Sequence, residues 1–268
     1  MQWGESGKVP RVRINDIQMY YEVNGRGFPL VMIMGLGASL DAWDPRMIQG
    51  LAKNFKTIMF DNRGAGRTEI SDREYTIRLF ADDTAGLMDA LGISRAHILG
   101  LSMGGCIAQE LALDYPERVE RLVLCSTSCG KGSSASEEVW GALMRSGSML
   151  ATEEGLRLLL SVCLTKEFMD KNTDIIESSI QKAMKAPTSP EGFSRQAKVR
   201  FNASDRVSGI TAPTLVLHGK RDIVLPPDNG SILAKAIPNA KLVLLEGSAH
   251  LLAEDMEEAA NAITEFLL

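Results

Sequence analysis

The sequence has no apolar run near the ~18 residues that a membrane-spanning helix needs. It also lacks an excess of positive charge, since 29 Lys and Arg stand against 34 Asp and Glu and the formal net charge is −5. That balance gives no basic surface for nucleic acid or an anionic membrane. Residues 1–8 lack the apolar core of a signal peptide. We therefore expect a cytoplasmic protein, a monomer or small homo-oligomer, with neither nucleic-acid nor membrane partners.

Cysteine is scarce, with four in 268 residues (Cys106, Cys125, Cys129 and Cys163). They form neither a C-x-x-C pair nor the density of a disulfide scaffold, and we interpret them as buried free thiols, although a Cys125–Cys129 or Cys129–Cys163 bridge is an alternative. No cluster of His, Cys and carboxylates has metal-ligand spacing. The sequence has no glycine-rich loop of the kind that binds the phosphates of a nucleotide. The sequence thus predicts no metal and no cofactor.

Strand and helix patterns alternate along most of the chain, which predicts a mostly parallel sheet covered by helices on both faces. Between residues 126 and 204 the pattern is helical only. We predict an α/β fold with eight strands, a core of residues 1–127 and 204–268, and a helical cap of residues 128–203. Predicted strands are 11–14, 17–23, 30–34, 55–61, 96–101, 119–125, 213–218 and 240–245. Predicted helices are 45–53, 77–91, 103–113, 136–149, 152–164, 166–186, 190–202, 227–236 and one from about Ala253.

The stretch Gly100-Leu101-Ser102-Met103-Gly104 joins a predicted strand directly to a predicted helix. Only a sharp turn can make that junction, and it forces Ser102 towards positive φ. The flanking glycines relieve the crowding, and the first helical N–H groups lie beside the serine. This is the G-x-S-x-G nucleophile pattern in the strand–turn–helix context that it requires.

A serine nucleophile needs a base, and the chain has three histidines. His97 lies at the far end of the strand before Ser102, and we interpret it as a satisfied core or sheet-end residue. His218 ends a strand at the correct sheet edge, and a structural role is favoured there. His250 follows the last strand in a loop at the same edge. His250 is therefore the predicted general base.

The base needs a carboxylate to orient it. Asp222 lies beyond the carboxyl end of the strand at 213–218, although an aspartate in such a Gly-Lys-rich turn is commonly a surface residue. Asp205, Glu246 and Asp255 are the competing acids. Asp205 lies at the exit of the predicted cap, Glu246 is four residues from His250, and Asp255 starts a helix. Asp222 is the predicted partner of His250.

The order Ser102, Asp222, His250 and the eight-strand pattern resemble the α/β-hydrolase superfamily over nearly the whole chain. Met34-Gly35-Leu36-Gly37 and the loop from Asp61 to Thr68 resemble its capped esterase and enol-lactone-hydrolase group. The resemblance implies an oxyanion hole formed by the backbone N–H groups of Leu36 and Met103, with Asp61 and Arg63 as braces of the loop that carries Leu36. Met34 and Thr68 depart from the family, which usually has His and often Ser there.

A serine nucleophile argues against the dehalogenase and epoxide-hydrolase branches, which use aspartate. The predicted function is hydrolysis of carboxylic esters with an apolar acyl group through an acyl-enzyme. Alternatives with the same machinery are an enol-lactonase, a thioesterase or a carbon–carbon bond hydrolase. A ligand-binding protein on this fold and a cofactor-free lyase or perhydrolase are the alternatives from other classes. The predicted pocket residues are Trp140, Met144, Leu159, Val224 and Leu251.

Overall fold

The computed structural model describes residues 10–268. The prediction that no signal peptide is present concerns residues 1–8, which lie outside the described part. Within residues 10–268, none of the helices combines the length and the apolar character needed to cross a membrane.

The described residues contain eight strands that form one sheet in the order β1-β2-β4-β3-β5-β6-β7-β8. β2 runs antiparallel to β1 and β4, and the other neighbouring pairs are parallel. The predicted eight-stranded, mostly parallel sheet is confirmed. Its strands are β1 (Arg11–Ile14), β2 (Ile17–Asn24), β3 (Phe28–Ile33), β4 (Phe55–Phe60), β5 (Ala96–Leu101), β6 (Val119–Cys125), β7 (Thr214–Gly219) and β8 (Lys241–Leu245).

Helices connect and cover the strands, and most of them begin where the sequence has a capping residue. The Asp44 carboxylate accepts the Arg46 N–H, and the Thr76 hydroxyl accepts the Leu79 N–H. Within residues 10–268 the helices are α1 (Pro45–Leu51), α2 (Ile77–Ala90), α3 (Met103–Asp114), α4 (Glu137–Gly147), α5 (Glu153–Cys163), α6 (Lys166–Lys171), α7 (Thr173–Ala183), α8 (Pro190–Ala197), α9 (Asp228–Ala236) and α10 (Met256–Leu267).

The core lies on both faces of the sheet, because alternate residues of a strand point to opposite sides. On β3, Val31 and Ile33 face an apolar cluster that includes residues of α2, α3 and α9. Leu30 and Met32 face the opposite cluster, which includes residues of α1 and α10. All four side chains are fully buried. Because both faces of the sheet are buried, the central strands appear in the sequence as continuous runs of apolar residues.

Helices α4 to α8 lie between β6 and β7, within residues 128–203, which we call the inserted segment. The predicted single helix at 166–186 is wrong, since it is divided into α6 and α7 at Asn172. The Asn172 amide donates to the Phe168 carbonyl (2.8 Å) and ends α6. The predicted helix at 190–202 ends at Ala197, because the chain returns to the core and the Ala203 N–H donates to the Cys129 carbonyl (2.9 Å).

The last helix begins at Met256 rather than about Ala253. The preceding residues are held in a loop in which the Asp255 carboxylate accepts the Gly247 N–H and the Ser248 hydroxyl, both at 2.9 Å. All four cysteines are free thiols, as predicted, and neither considered bridge forms. Cys125, Cys129 and Cys163 are buried, whereas Cys106 is half-buried.

Candidate active site

Ser102 stands between β5 and α3 with φ +57° and ψ −122°, a left-handed conformation that is strained for a residue with a Cβ. Its backbone is held on both sides by neighbouring strand and loop. The Ser102 N–H donates to the Cys125 carbonyl (2.9 Å), and the Thr127 hydroxyl donates to the Ser102 carbonyl (2.7 Å). These bonds hold the serine side chain above the carboxyl edge of the sheet.

Glycine is required around this turn because backbone from other elements approaches it closely. A Cβ at Gly104 would lie 2.1 Å from the Ile33 carbonyl oxygen, and one at Gly100 would lie 2.3 Å from the Gly104 carbonyl oxygen. A Cβ at Gly35 would lie 3.1 Å from the Ser102 Cβ and 3.6 Å from its Oγ. The loop at residues 34–37 therefore runs directly beside the serine.

The predicted oxyanion-hole amides belong to Met103, which follows Ser102 in the chain, and to Leu36, in the loop that runs beside the serine. Met103 is the first residue of α3, and its N–H has no partner within that helix. Leu36 follows Gly35, which contacts the serine, and both Leu36 and Met103 line the cavity into which Ser102 opens. A backbone donor at a helix N-terminus, such as the Met103 N–H, suits the stabilisation of a developing negative charge, and a second donor from a nearby loop would add to it.

His250 and Asp222 are brought together from two different loops. His250 Nδ1 lies 2.8 Å from Asp222 Oδ2, and both side chains are buried. The other oxygen of the carboxylate, Oδ1, accepts the N–H groups of Val224 and Leu225 at 2.9 Å each. Burial raises the pKa of Asp222, but the adjacent imidazoles and these hydrogen bonds outweigh burial and hold the pKa well below its usual range. Asp222 is therefore ionised throughout the neutral range.

His218 contacts the same carboxylate, which the sequence did not indicate. Its Nε2 lies 2.8 Å from the Leu225 carbonyl oxygen and 3.3 Å from Asp222 Oδ2, and its side chain is fully buried. Because a carbonyl only accepts, Nε2 carries the proton and donates to the Leu225 carbonyl, and the same N–H lies close to Asp222 Oδ2. The buried side chain and its bond to a backbone carbonyl agree with the structural role expected of His218, and the residue also contacts Asp222.

The remaining candidates lie apart from His250. Asp205 is exposed, Glu246 pairs with Lys220, and Asp255 holds the loop before α10. His97 is buried near the amino end of β5, where it packs against Phe28 and Phe55 with ring centroids 4.8 and 5.7 Å away. His97 is thus a core residue at the end of the sheet, as interpreted, but it is not fully satisfied, because its Nδ1 is buried and has no partner among residues 10–268.

The two predicted braces have different partners. Asp61 is buried, accepts the Leu40 N–H (2.6 Å) and the Arg67 N–H (2.8 Å), and so supports the chain just after the loop at 34–37. Burial raises the pKa of Asp61 to about 6. The Arg63 side chain does not reach that loop, because its guanidinium pairs with Asp83 (2.7 Å) and Asp16 (2.9 Å). Arg63 as a side-chain brace is thus a wrong prediction.

The serine opens into a cavity of about 650 Å³ between the sheet edge and the inserted segment. Of the predicted pocket residues, Trp140, Leu159, Val224 and Leu251 line it. Met144 does not, because it is half-buried among the apolar side chains that hold α4 against its neighbours. The cavity has further apolar lining residues that were not among the predicted five and that face it through tertiary packing, among them Trp43, Leu150, Leu156 and Phe168.

Ser102 and His250 line the same cavity, and within residues 10–268 the serine hydroxyl has no hydrogen-bond partner, His250 included. No group of three or more His, Cys, Asp or Glu side chains in the described part of the chain is placed to hold a metal ion. The arrangement offers a strained serine, a buried imidazole beside an ionised carboxylate, and two backbone amides, of Leu36 and Met103, that have no hydrogen-bond partner among residues 10–268. Such a set is suited to nucleophilic attack on a carbonyl carbon.

The sheet order, the serine turn and the loop positions define a hydrolase of the α/β class. A model of the α/β-hydrolase fold matches residues 29–256, and the chain belongs to this family.

Three similar proteins illustrate the range of the family. RutD of Azorhizobium caulinodans, a proposed carbamate hydrolase, is 27% identical over 90% of this chain and 91% of its own length. The 2-hydroxymuconate semialdehyde hydrolase of Pseudomonas sp. strain CF600 is 31% identical over 85% of this chain and 82% of its own. The enol-lactonase from Burkholderia xenovorans LB400 is 29% identical in sequence. Its crystal structure superposes with a TM-score of 0.82, and the match covers 96% of this chain and 99% of that one.

Proposed function

We propose that this protein is a serine hydrolase that cleaves carboxylic esters. The observation that carries the proposal is the His250–Asp222 contact of 2.8 Å at the wall of the cavity into which the strained Ser102 opens. In this proposal Ser102 is the nucleophile, His250 is the general base, and Asp222 orients His250. The Leu36 and Met103 amides form the oxyanion hole, and residues 128–203 form a cap over the substrate.

In the first half of the reaction the Ser102 oxygen attacks the ester carbonyl carbon, and its proton passes to His250 Nε2. Asp222 accepts the Nδ1–H and stabilises the imidazolium that forms. The negative oxygen of the tetrahedral intermediate accepts hydrogen bonds from the two amides, each worth about 3 kcal/mol in such sites. His250 then donates its proton to the leaving alcohol, and the acyl group remains on Ser102.

In the second half a water molecule takes the place of the alcohol. His250 accepts a proton from this water as its oxygen attacks the acyl carbon. The second tetrahedral intermediate uses the same two amides. Its collapse returns the proton from His250 to the Ser102 oxygen and releases the carboxylic acid.

The cavity supports an apolar acyl group as the substrate class. Its walls carry leucines and aromatic side chains, among them Leu143, Leu150 and Phe168, which bind aliphatic or aryl groups by excluding water. Similarity to an enol-lactonase supports ester chemistry, since a lactone is a cyclic ester. The similarity to a carbamate hydrolase makes the carbamate bond one alternative to be assayed. The similarity to a 2-hydroxymuconate semialdehyde hydrolase makes carbon–carbon bond cleavage another.

The test is mass spectrometry of the intact protein after treatment with a fluorophosphonate, with the wild type beside Ser102→Ala. One stable adduct on the wild type that is absent from the variant, together with turnover of p-nitrophenyl esters, is the expected result. No adduct, or an adduct that survives the substitution, would contradict the proposal and favour a ligand-binding protein. A panel with one acyl group presented as an ester, lactone, thioester or carbamate, together with a ketone that tests carbon–carbon cleavage, then ranks the bond types.

A further inference from the structure

Gln196, on α8 of the inserted segment, bridges two loops of the core. Its Oε1 accepts the Gly37 N–H at 2.8 Å, and its Nε2 donates to the Arg63 carbonyl at 2.8 Å. The side chain is almost fully buried, with 1% exposed. A buried amide with both ends used is held in one orientation, because breaking either bond would leave a buried polar group unpaired.

The two partners fix the chemistry that this position requires. Gly37 offers a donor and Arg63 offers a carbonyl acceptor, so the residue between them must both accept and donate. Only Asn and Gln carry a carbonyl and an N–H₂ on one planar group, and Gln has the longer reach. Because both partners are backbone groups, Gln196 controls the path of the two loops and not the rotamer of a neighbouring side chain.

One face of α8 packs on the same two loops. Gly192 lies one turn before Gln196, and a Cβ there would be 2.0 Å from the Gly64 carbonyl oxygen. The Phe193 ring packs against Gly37, since a Cβ built on Gly37 would lie 2.6 Å from that ring. The left-handed φ of +71° at Gly37 is therefore enclosed by the inserted segment.

The loop at residues 34–37 is fixed on both sides of Leu36. On one side the Asn62 side-chain amide donates to the Met34 carbonyl at 2.8 Å. On the other side Gln196 holds the Gly37 N–H. Leu36 lies between these two points, and the direction of its own N–H follows from them.

We propose that Gln196 is a positioning residue that fixes the direction of the Leu36 amide from the inserted segment, so that oxyanion stabilisation depends on the seating of α8. The inference rests on the proposed function. The inference extends the proposed function, because it makes the inserted segment a part of the catalytic apparatus as well as a wall of the substrate cavity. A loop fixed before substrate arrives needs no rearrangement during reaction, which is the condition under which oxyanion donors act strongly.

The test substitutes Gln196→Met, which keeps the length of the side chain and removes both hydrogen bonds. The expected result is a fall in kcat of about 10 to 100 times, less than the 10²–10³ that follows loss of an oxyanion donor outright. KM for a p-nitrophenyl ester should change less than threefold. The Ki of phenylboronic acid, which forms a tetrahedral adduct on the serine oxygen, should rise by the same factor as kcat falls.

Thr188→Val is the matched control. Thr188 also belongs to the inserted segment and is buried, and its hydroxyl accepts the Gly66 N–H at 3.0 Å, so it ties the segment to the core through a loop other than the one at 34–37. This variant should keep kcat within about threefold even where its melting temperature falls as far as that of Gln196→Met. If Gln196→Met does not fold, Gln196→Asn tests the same point, because it keeps both polar groups on a shorter side chain that cannot reach both partners. Its boronate Ki should rise as its kcat falls, and unchanged values of both would overturn the inference.

The outcomes separate this inference from the proposed function. A wild type without ester turnover or a fluorophosphonate adduct overturns the proposed function, and this inference with it. A wild type that turns over while Gln196→Met keeps its kcat and boronate Ki overturns this inference alone. Equal losses of kcat in Gln196→Met and Thr188→Val would also overturn it, because they would show that docking of the segment in general is what matters.

Discussion

His218 Nε2 lies 3.3 Å from Asp222 Oδ2, the same oxygen that His250 Nδ1 approaches to 2.8 Å. Two imidazoles thus share one carboxylate oxygen, while the second oxygen accepts two backbone amides. A carboxylate with this many donors stays ionised and cannot rotate. Asp222 is therefore positioned by its own loop and by a histidine outside the proposed triad.

His218→Leu should reduce kcat about tenfold and lower the free energy of unfolding by about 1–3 kcal/mol, because it leaves the Leu225 carbonyl without its donor. His218→Gln is the control, since its amide can donate from nearly the same place and should recover most of both losses. Steady-state kinetics and urea unfolding measure the two effects. Unchanged kcat in the Leu variant would mean that His218 has no part in positioning Asp222.

Ser102→Ala and His250→Ala should each reduce kcat by roughly 10³ or more, and the double variant should lose little further. The physical reason is that the two groups act in one proton transfer, so that removing either one abolishes the step. The measurement is kcat for one ester with all three variants, each checked for folding by circular dichroism. Losses that multiply in the double variant would show that the two residues act independently.

Gly104→Ala should prevent folding or lower stability by more than about 3 kcal/mol, because its Cβ would lie 2.1 Å from the Ile33 carbonyl oxygen, which cannot move without distorting β3. Gly92→Ala is the matched comparison. Gly92 has φ +67° and no atom within 4 Å of a Cβ, so only backbone strain of about 1 kcal/mol opposes the substitution. Thermal unfolding of the two soluble variants gives the difference, and equal melting temperatures would contradict it.

Much of the sheet could be predicted because its information is local. Apolar runs such as Leu30–Ile33 identify buried parallel strands, and the G-x-S-x-G pattern identifies the turn at Ser102 without reference to the rest of the chain. The order of chemical groups at strand ends then places Asp222 and His250 at the same edge. These steps need only spacing, alternation and the rule that parallel strands end together.

The parts that could not be predicted depend on contacts between distant segments. Gln196 and Gly37 are 159 residues apart, and nothing around Gln196 distinguishes it from a surface glutamine on an amphipathic helix. Met144 has the spacing of a pocket residue, yet packing between helices turns it away from the cavity. The break at Asn172 is hidden because the apolar period continues through it. In each case tertiary packing decides what local pattern leaves open.

Protein stability should fall between pH 6.5 and about 4 because of His97. Burial lowers the pKa of His97 from 6.5 to about 4. As the pH falls below 6.5 the unfolded chain binds a proton at His97 while the folded protein does not, so protonation favours unfolding. Above pH 6.5 both states are neutral, and the contribution vanishes. From these two pKa values the loss between pH 7 and pH 5 is about 2 kcal/mol.

His97→Leu should remove this loss, since leucine is apolar and its site against Phe28 and Phe55 is apolar as well. The measurement is the free energy of unfolding by urea at pH 7 and at pH 5 for the wild type and the variant. Comparing the two proteins at both pH values cancels the contributions of all other ionisable groups, which both proteins share. The variant should gain about 2 kcal/mol relative to the wild type at pH 5 beyond any difference at pH 7. An equal difference at both pH values would show that His97 is protonated as readily in the fold as in the unfolded chain.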